Sequence, residues 1–316
     1  MLRFITRRVA LSALILVLAV SLLFGMIHML PGDPASVILG PRATPELRAE
    51  LNERMGLDRP FVVQLGQFLG DVATGDLGED PFSRRAVADI VFEQLPFTLT
   101  LVFAAIAGAT LLGVPLGCYS AIRRGSWLDR ATALLSVAFI AVPSFVVALY
   151  ALMLFSVQLR WFPAIGAGES GDLADQALHL VLPAIALGLG WVGYIARLVR
   201  ASMLEVLEEN HVRTARAFGL PERVIIGRYA LRIAILPTVT ILGLGIGTML
   251  SGALFAEIVF SRPGIGKLLY ESVMTRNYPV VMGSVLVTTA FFVVCTLASD
   301  IVNALLDPRL RESEGR

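Results

Sequence analysis

The stretch from Arg197 to Pro237 reads RLVRASMLEVLEENHVRTARAFGLPERVIIGRYALRIAILP and interrupts a chain that is otherwise strongly apolar. It contains seven arginines and four glutamates, whereas long apolar runs precede and follow it. A charged side chain at the centre of a bilayer costs roughly 2.5–3.5 kcal/mol on insertion scales. The segment is therefore expected to lie outside the hydrocarbon and to interrupt a membrane protein.

The middle of this segment has the capping residues of two consecutive helices. Asn210 can cap a helix that begins at His211, and Gly219 can supply the left-handed residue that ends it. Pro221 suits the first turn of a second helix, where the helix dipole favours Glu222. The sequence thus predicts a short helix, a sharp corner and a second helix that runs back towards the membrane.

Composition places the whole chain among membrane proteins. Hydrophobic residues make up 56% of its 316 residues and the mean hydropathy is +0.75, which excludes an ordinary soluble domain. The net charge of +1 gives no indication of a nucleic-acid partner. Cys118 and Cys295 lie in apolar runs, so we interpret them as small core residues and not as a disulfide framework.

Six runs without Asp, Glu, Lys or Arg each exceed the roughly 20 residues that cross a bilayer as a helix. These runs are Val9–Gly32, Gln94–Ile122, Ala131–Leu159, Gln176–Ala196, Ile233–Ala256 and Asn277–Ser299. Four prolines within them or at their edges predict kinks: Pro96, Pro115, Pro143 and Pro183. The expected fold is an all-α polytopic membrane protein with six transmembrane helices.

The distribution of positive charge predicts the orientation of these helices. With the amino terminus inside, sixteen of the 26 lysines and arginines fall on the cytoplasmic side, and six of the other ten lie in one long loop. Both termini are therefore expected in the cytoplasm. The first run is too long for a signal-peptide core and is expected to remain as an uncleaved span.

The chain is divided by this reasoning into three regions. Residues 1–32 form the first span with its cytoplasmic start, residues 33–95 form a helical extracytoplasmic region, and residues 96–316 form a core of five spans. Within the second region, one helix is predicted from Thr44 to Gly56, another from Asp58 to about Val72, and an amphipathic helix from Ser83 to Leu95 that leads into the second span. This region either caps the bundle or also offers a docking surface for an extracellular partner.

The motif HVRTARAFGLPER, from His211 to Arg223, resembles the EAA signature loop of ABC importer permeases, in particular of their dipeptide and oligopeptide branch. The glutamate of the broad-family pattern is replaced by Arg213, and Phe218 stands where the peptide branch often has a lysine. The stretches MLPGDPA, FSRPGIGKLL, RNYPVV and LLDPRLR are also similar to that branch. The small side chains of Ala215 and Ala217 would permit close approach of a partner.

The resemblance implies that a coupling loop at about residues 201–232 docks into a cleft on a separate ATPase subunit. It implies a second permease subunit, two ATPase subunits or domains that bind ATP and magnesium, and an extracytoplasmic substrate-binding protein. The chain itself would hold no cofactor and no catalytic residue. The expected coupling residues are Asn210, His211, Val212, Arg213, Thr214, Ala215, Arg216, Ala217, Phe218, Gly219, Leu220 and Pro221.

Other motifs do not support an enzyme. The GxGxxG pattern at Gly188, Gly190 and Gly193 lies within an apolar run, so we interpret it as small residues that let helices pack closely. The Gly266-Lys267 pair lacks the remainder of a phosphate loop, and the three histidines are too scattered to predict a metal site. The predicted function is ATP-driven import of short peptides. Nickel or glutathione import and ion-gradient-driven secondary transport remain alternatives.

Glu257 is the acidic residue near the end of the fifth apolar run. An ionisable side chain within a membrane span indicates a functional site, in this case the substrate path. The alternative is that Glu257 lies at the outer interface, where water solvates it.

Overall fold

A computed structural model describes residues 2–29, 44–46 and 59–306. Within these residues the chain is α-helical apart from turns, two π-helical segments and one isolated bridge between Glu79 and Ala86. The α-helices are α1 Leu2–Met29, α2 Phe61–Thr74, α3 Val87–Ile122, α4 Trp127–Ala141, α5 Ser144–Ala151, α6 Leu173–Leu207, α7 Asn210–Ala217, α8 Glu222–Val224, α9 Leu231–Ala234, α10 Leu236–Val259, α11 Ile265–Met274 and α12 Tyr278–Leu306. The π-helical segments are Leu152–Gln158 and Ile225–Ala230.

Among the described residues, five helices are long and apolar enough to cross a membrane, and a bent pair makes up to six. The bent pair is α4 followed by Ser144–Gln158, and its two halves meet at 98°. The break lies at Val142 and Pro143, because proline removes a helical donor and clashes with the preceding turn. The all-α fold is confirmed. The prediction of kinks is confirmed at Pro143, whereas Pro96, Pro115 and Pro183 lie within the continuous helices α3 and α6.

The predicted helix boundaries in the extracytoplasmic region are only partly correct. The helix expected from Asp58 is present as α2, which ends at Gly75 in the left-handed conformation (φ 86°). The helix expected from Ser83 as leading into the second span is present, but it begins at Val87 and continues to Ile122 as α3. The helix predicted from Thr44 to Gly56 lies outside the described residues except for 44–46. The three-region division itself remains a prediction.

The chain separates into two compact units, of which the larger contains Phe97–Pro263 and the residues from Val294 onward. Its helices approach at glycines. A β-carbon added to Gly117 of α3 would lie 2.4 Å from the carbonyl oxygen of Ala196 in α6, and one added to Gly193 of α6 would lie 2.7 Å from that of Ser136 in α4. Real β-carbons do not approach so closely, so these helices are in backbone contact.

The spacing of the glycines does not show whether their partner helices lie in this chain or in a second subunit. The partner helices of Gly113, Gly117, Gly188 and Gly193 belong to this chain, since their added β-carbons would meet α6, α3 or α4. The interpretation of the GxGxxG pattern as a helix-packing surface is therefore confirmed. A β-carbon added to Gly188, the first glycine of that pattern, would lie 2.8 Å from the carbonyl oxygen of Ala105.

Two apolar cores lie within this larger unit. One surrounds Ile195, Val199 and Met203 of α6 and extends to α7 and the second π-helical segment. The other contains residues of α5 and α6 together with Phe260. Its members are Ala148, Ala151, Leu182, Ala186 and Phe260.

The second unit contains Leu2–Pro96 and Gly264–Val293. In it, Phe24 of α1 packs on Phe61 and Phe68 of α2, with ring centroids 5.5 and 5.6 Å apart. A separate core joins the start of α3 to α11 and α12 through Val87, Val91, Ile265, Val280 and Val287.

A buried carboxylate, that of Asp80, organises the turn before α3 in this second unit. Asp80 accepts hydrogen bonds from the backbone N–H groups of Phe82 and Ser83, each at 3.1 Å, and from the Ser83 hydroxyl. It also accepts a bond from Asn277 Nδ2 at 2.7 Å. Asp80 therefore ties this turn to the connection between α11 and α12.

Candidate functional site

The predicted coupling loop forms a helix and corner whose start differs slightly from expectation. Asn210 was predicted to be the N-cap, but α7 begins at Asn210 and the extended residue before it is Glu209 (φ −68°, ψ 154°). The Asn210 side chain lies within the first turn, where it cannot reach back to the free N–H groups, so this prediction is wrong by one residue. The Asn210 carbonyl accepts a bond from Thr214 Oγ1 at 2.9 Å, and His211 Nδ1 lies 3.0 Å from Glu209 Oε2.

The end of α7 has the geometry that its glycine predicts. Gly219 is left-handed with φ 74°. Its N–H donates to the Arg216 carbonyl at 2.9 Å, and the Leu220 N–H donates to the Ala215 carbonyl at 3.2 Å. This pair of bonds defines a Schellman motif, which satisfies the last carbonyls of a helix. The sharp corner predicted at Gly219 is therefore confirmed.

The chain turns at Pro221 into the second helix. Pro221 has extended backbone (φ −65°, ψ 139°) and precedes α8, so it lies just outside the first turn and not within it. Arg216 Nε donates to Glu222 Oε1 at 2.9 Å, which links the two sides of the corner. From Glu222 the chain runs through the second π-helical segment and α9 into α10, as the predicted return requires.

The buried side of α7 holds the corner on the rest of the unit. Val212 is fully buried and Ala215 is 4% exposed, both in the core that contains Met203 and Val206. Residues three apart share one side of a helix, which is why these two point inward together. The expectation that Ala215 leaves room for a partner is wrong, because its side chain packs within this chain. Ala217 is exposed.

The opposite side of the corner is basic with an apolar tip. Arg213, Arg216 and Arg223 are exposed. Phe218 is 82% exposed, although large apolar side chains are usually covered in a folded protein. The corner therefore presents a rigid backbone, positive charge and one uncovered aromatic ring.

An ionic cluster around a buried aspartate, which sequence reasoning missed, lies on the helices next to this corner. Arg200 of α6 forms a two-point ion pair with Asp129 of α4, with Nε–Oδ1 at 2.6 Å and Nη2–Oδ2 at 2.9 Å. The same carboxylate accepts bonds from the Gly125 N–H at 2.9 Å and from the Ser120 hydroxyl. The sequence feature that pointed to this cluster was Asp129, which lies two residues before an apolar run. Its partner Arg200 lies 71 positions away in the chain.

Glu257 is the residue that the sequence predicts to lie in the substrate path. Its side chain is fully buried, and Oε1 accepts a hydrogen bond from Thr98 Oγ1 at 2.6 Å. The alternative of a water-solvated interface residue is therefore wrong. The role of Glu257 in the substrate path remains a prediction.

A buried arginine follows Glu257 in the chain. Arg262 is 4% exposed and lies 6.0 Å from the centre of the Phe97 ring, while its Nε and Nη1 have no hydrogen-bond partner among the described residues. Burial lowers the pKa of Arg262, and the negative charge of Glu257 acts against that shift. The sequence offered no signal for this arginine, because a loop arginine is usually solvated.

A cavity of about 330 Å³ lies beside the break between α4 and α5. Its walls come from α4, the break, α5, α6 and α10, and they are mainly apolar with a few hydroxyl groups. The lining residues include Phe139, Val142, Ser144, Trp191, Tyr194 and Thr248.

Apolar helices of membrane-spanning length, a broken span and a rigid charged corner define a polytopic membrane protein. Residues 113–312 match the family described as binding-protein-dependent transport system inner membrane component, and residues 1–102 match its N-terminal counterpart. The chain belongs to this family. It is accordingly a permease subunit of an ATP-driven importer.

Similar proteins cover almost the whole chain. The di/tripeptide transport system permease protein DppB of Pseudomonas aeruginosa is 38% identical over 98% of this chain and 99% of its own length. The dipeptide transport system permease protein DppB of Alkalihalophilus pseudofirmus is 35% identical over 98% of this chain and all of its own length. The glutathione transport system permease protein GsiC of Shigella flexneri is 36% identical over 92% of both.

Solved structures show the same fold. A chain of the MetNI methionine ABC transporter superposes with a TM-score of 0.57 at 20% identity, over 69% of this chain and 96% of that chain. A second crystal form of that transporter gives a TM-score of 0.54 at 18% identity. At these identities the likeness concerns the fold alone.

Proposed function

We propose that this permease forms half of a path through which short peptides enter the cell, driven by ATP. The names of its relatives support this cargo, since they specify dipeptides, di- and tripeptides and glutathione. Glutathione is itself a tripeptide, so these cargoes share amide groups, a free carboxylate and small size.

The observation that supports the coupling to ATP is the corner at Gly219. Coupling requires a surface that a partner can push without deforming it. The Schellman motif fixes the backbone at Gly219, and the burial of Val212 and Ala215 fixes α7 on α6. We assign the exposed arginines and Phe218 to contact with an ATPase subunit, in which an aromatic anchor and arginine are favoured contact residues.

The remaining partners follow from the family and the charge distribution. Both termini and residues 197–232 would face the cytoplasm of a prokaryotic cell, and residues 33–95 would face the extracytoplasmic binding protein. A second permease subunit would complete the path. ATP and magnesium would be bound by two ATPase subunits or domains, so this chain would contribute no catalytic group.

Within the path, Glu257 is our candidate for contact with the substrate. It is the buried carboxylate at the end of α10, and a peptide has an ammonium group of opposite charge. ATP binding would favour one of two pre-existing arrangements of the helices, which would then expose the path to alternate sides.

The decisive experiment is uptake into proteoliposomes that contain the complete transporter. Radiolabelled di- and tripeptides should accumulate with ATP inside and the binding protein outside, and an ion gradient alone should have no effect. Glutathione tested in parallel decides between the two cargo classes that the relatives name. Uptake driven by an ion gradient without ATP would contradict the proposal, and accumulation of nickel but not peptide would contradict the cargo.

A further inference from the structure

The cluster of Ser120, Gly125, Asp129 and Arg200, here called the Asp129 cluster, satisfies a buried carboxylate, whereas the Arg200 side chain is 30% exposed. Asp129 receives four hydrogen bonds, two of them from Arg200 at 2.6 and 2.9 Å. A two-point pair between arginine and a carboxylate is specific in geometry, and the loss of Arg200 would remove two of the four bonds to the buried carboxylate. The cluster therefore strongly favours one relative placement of its members.

Those members come from three helices and a turn. Ser120 lies in α3, Asp129 in α4 and Arg200 in α6. Gly125 belongs to the turn between α3 and α4, where its left-handed backbone (φ 80°) aims its N–H at Asp129. A single carboxylate thus joins all these elements at one end of the larger unit.

Backbone contact reinforces the same arrangement. Gly117, one turn before Ser120, touches Ala196, which lies one turn before Arg200. Because the contact at Gly117 is with backbone, a shift between α3 and α6 cannot be absorbed by a side-chain rotation. The ends of these helices therefore form a single stiff block.

The coupling helix belongs to that block. The core next to Arg200 runs without interruption from Val199 and Met203 in α6 to Val212 and Ala215 in α7. A displacement of α7 is consequently transmitted to α6 and, through the Asp129 cluster, to α3 and α4.

α4 leaves the block where it breaks. At Val142 and Pro143 the chain turns through 98° into α5, which packs in a different core with Phe260 and with Leu182 in the first half of α6. An open pocket of about 330 Å³ lies beside this break.

We propose that Asp129 and Arg200 are positioning residues for coupling. They hold the ends of α3, α4 and α6 as one body with the coupling helix, so that a displacement of α7 moves all of these ends together. The inference rests on the proposed function, because the force it transmits is that of the ATPase subunit on α7.

The test uses the complete reconstituted transporter and measures peptide transported per ATP hydrolysed. Arg200→Gln and Asp129→Asn should lower this ratio about ten-fold, within the usual range for coupled sites, while ATP hydrolysis stays near the wild-type rate. The double variant should be no worse than either single variant, because the two residues act as a unit. Arg200→Lys keeps the charge but loses the two-point geometry and should give an intermediate ratio.

Arg124→Gln is the matched control. Arg124 lies beside the same cluster, but its pair with Glu208 is 3.8 Å long and both side chains are about two-thirds or more exposed, at 68% and 74%. This variant should keep the wild-type ratio, since exposed pairs contribute little.

Two results would overturn the inference. One is a wild-type ratio in every assembled variant, and the other is a parallel fall of transport and hydrolysis, which indicates a purely structural role. If Arg200→Gln does not assemble, Arg200→Lys and Ser120→Ala decide by the same ratio. Absence of peptide uptake by the wild-type transporter would instead count against the proposed function.

Discussion

Gly219 and Gly227 lie eight residues apart in the same exposed segment, but they differ in backbone conformation. A β-carbon added to either would meet no atom within 4 Å. Gly219 is left-handed with φ 74°, whereas Gly227 is not among the residues with positive φ. Because neither position is crowded, a comparison of substitutions at the two positions measures the effect of backbone strain alone.

We expect Gly219→Ala to impair coupling and Gly227→Ala to have no such effect. Alanine in the left-handed region costs roughly 1–2 kcal/mol, which would loosen the corner that holds α7. Peptide uptake should fall while ATP hydrolysis continues, as measured in proteoliposomes. Equal uptake by both variants would show that the geometry at Gly219 does not matter for transport.

Glu257→Gln tests the assignment of the buried carboxylate to the substrate path. Glutamine can still accept the Thr98 hydroxyl, so the change removes chiefly the charge. We expect a changed uptake rate at an unchanged amount of protein in the membrane, measured by uptake and immunoblotting. Glu271→Gln is the control. The Glu271 side chain is 60% exposed, and its ion pair with Lys267 is long, at 3.8 Å. An unchanged rate in Glu257→Gln would refute the assignment.

At the scale of helices, spacing of small residues is a weaker guide than the contacts they make. Gly108 and Gly117 both lie in α3, nine residues apart. A β-carbon on Gly108 would meet nothing within 4 Å, whereas one on Gly117 would lie 2.4 Å from the Ala196 carbonyl oxygen. Only Gly117 is required for close approach.

Gly117→Ala should destabilise the bundle and Gly108→Ala should not. Overpacking typically costs about 1–3 kcal/mol, and here backbone must move because the clash is with a carbonyl. The expected result is a lower unfolding temperature for Gly117→Ala in detergent, followed by tryptophan fluorescence. Identical melting curves for the two variants would contradict the observed helix contact.

The Asp80 turn should make stability depend on pH. Burial acts to raise the pKa of Asp80, but hydrogen bonds from Ser83, Phe82 and Asn277 outweigh it and lower the pKa below its ordinary value. A lowered pKa in the folded state stabilises the protein above the unfolded value, roughly pH 4. This stability is lost as the pH falls through the folded value.

Asp80→Asn should therefore remove part of the acid sensitivity of this region. The measurement is limited proteolysis of the turn between α2 and α3 over the range from about pH 3 to pH 6. Glu79→Gln, a change at the exposed neighbouring acid, should leave the wild-type profile. An Asp80→Asn profile that matches the wild type would contradict the pKa shift.

For the whole molecule, the distribution of arginine makes a topological prediction. Trp127, at the start of α4, should face the cytoplasm, and Leu173, at the start of α6, should face outward. Both are well exposed, at 75% and 80%. A single cysteine at either place, in a chain without Cys118 and Cys295, should react with an impermeant thiol reagent from opposite sides. Labelling from the same side would refute the orientation.

Much of the architecture was predictable because the bilayer restricts the chain so strongly. Apolar runs of spanning length have few alternatives to helices. Of the four prolines expected to kink the helices, Pro143 lies at the break found among the described residues, whereas the other three lie within continuous helices. The corner was predictable because Gly219 supplies a backbone conformation that other residues avoid. The start of α7 was misplaced by one residue, since several polar residues near Asn210 could precede a helix.

The sequence by itself determined the fold class, the positions of the apolar spans and the presence of a charged corner, because these depend on local hydrophobicity and local backbone preference. Only the tertiary structure decided that Ala215 is buried, that Glu257 bonds to Thr98 and that Arg200 pairs with Asp129. These facts join residues far apart in the chain. Local sequence patterns do not identify partners that are distant in the chain, so these contacts can be assigned only from the packed helices.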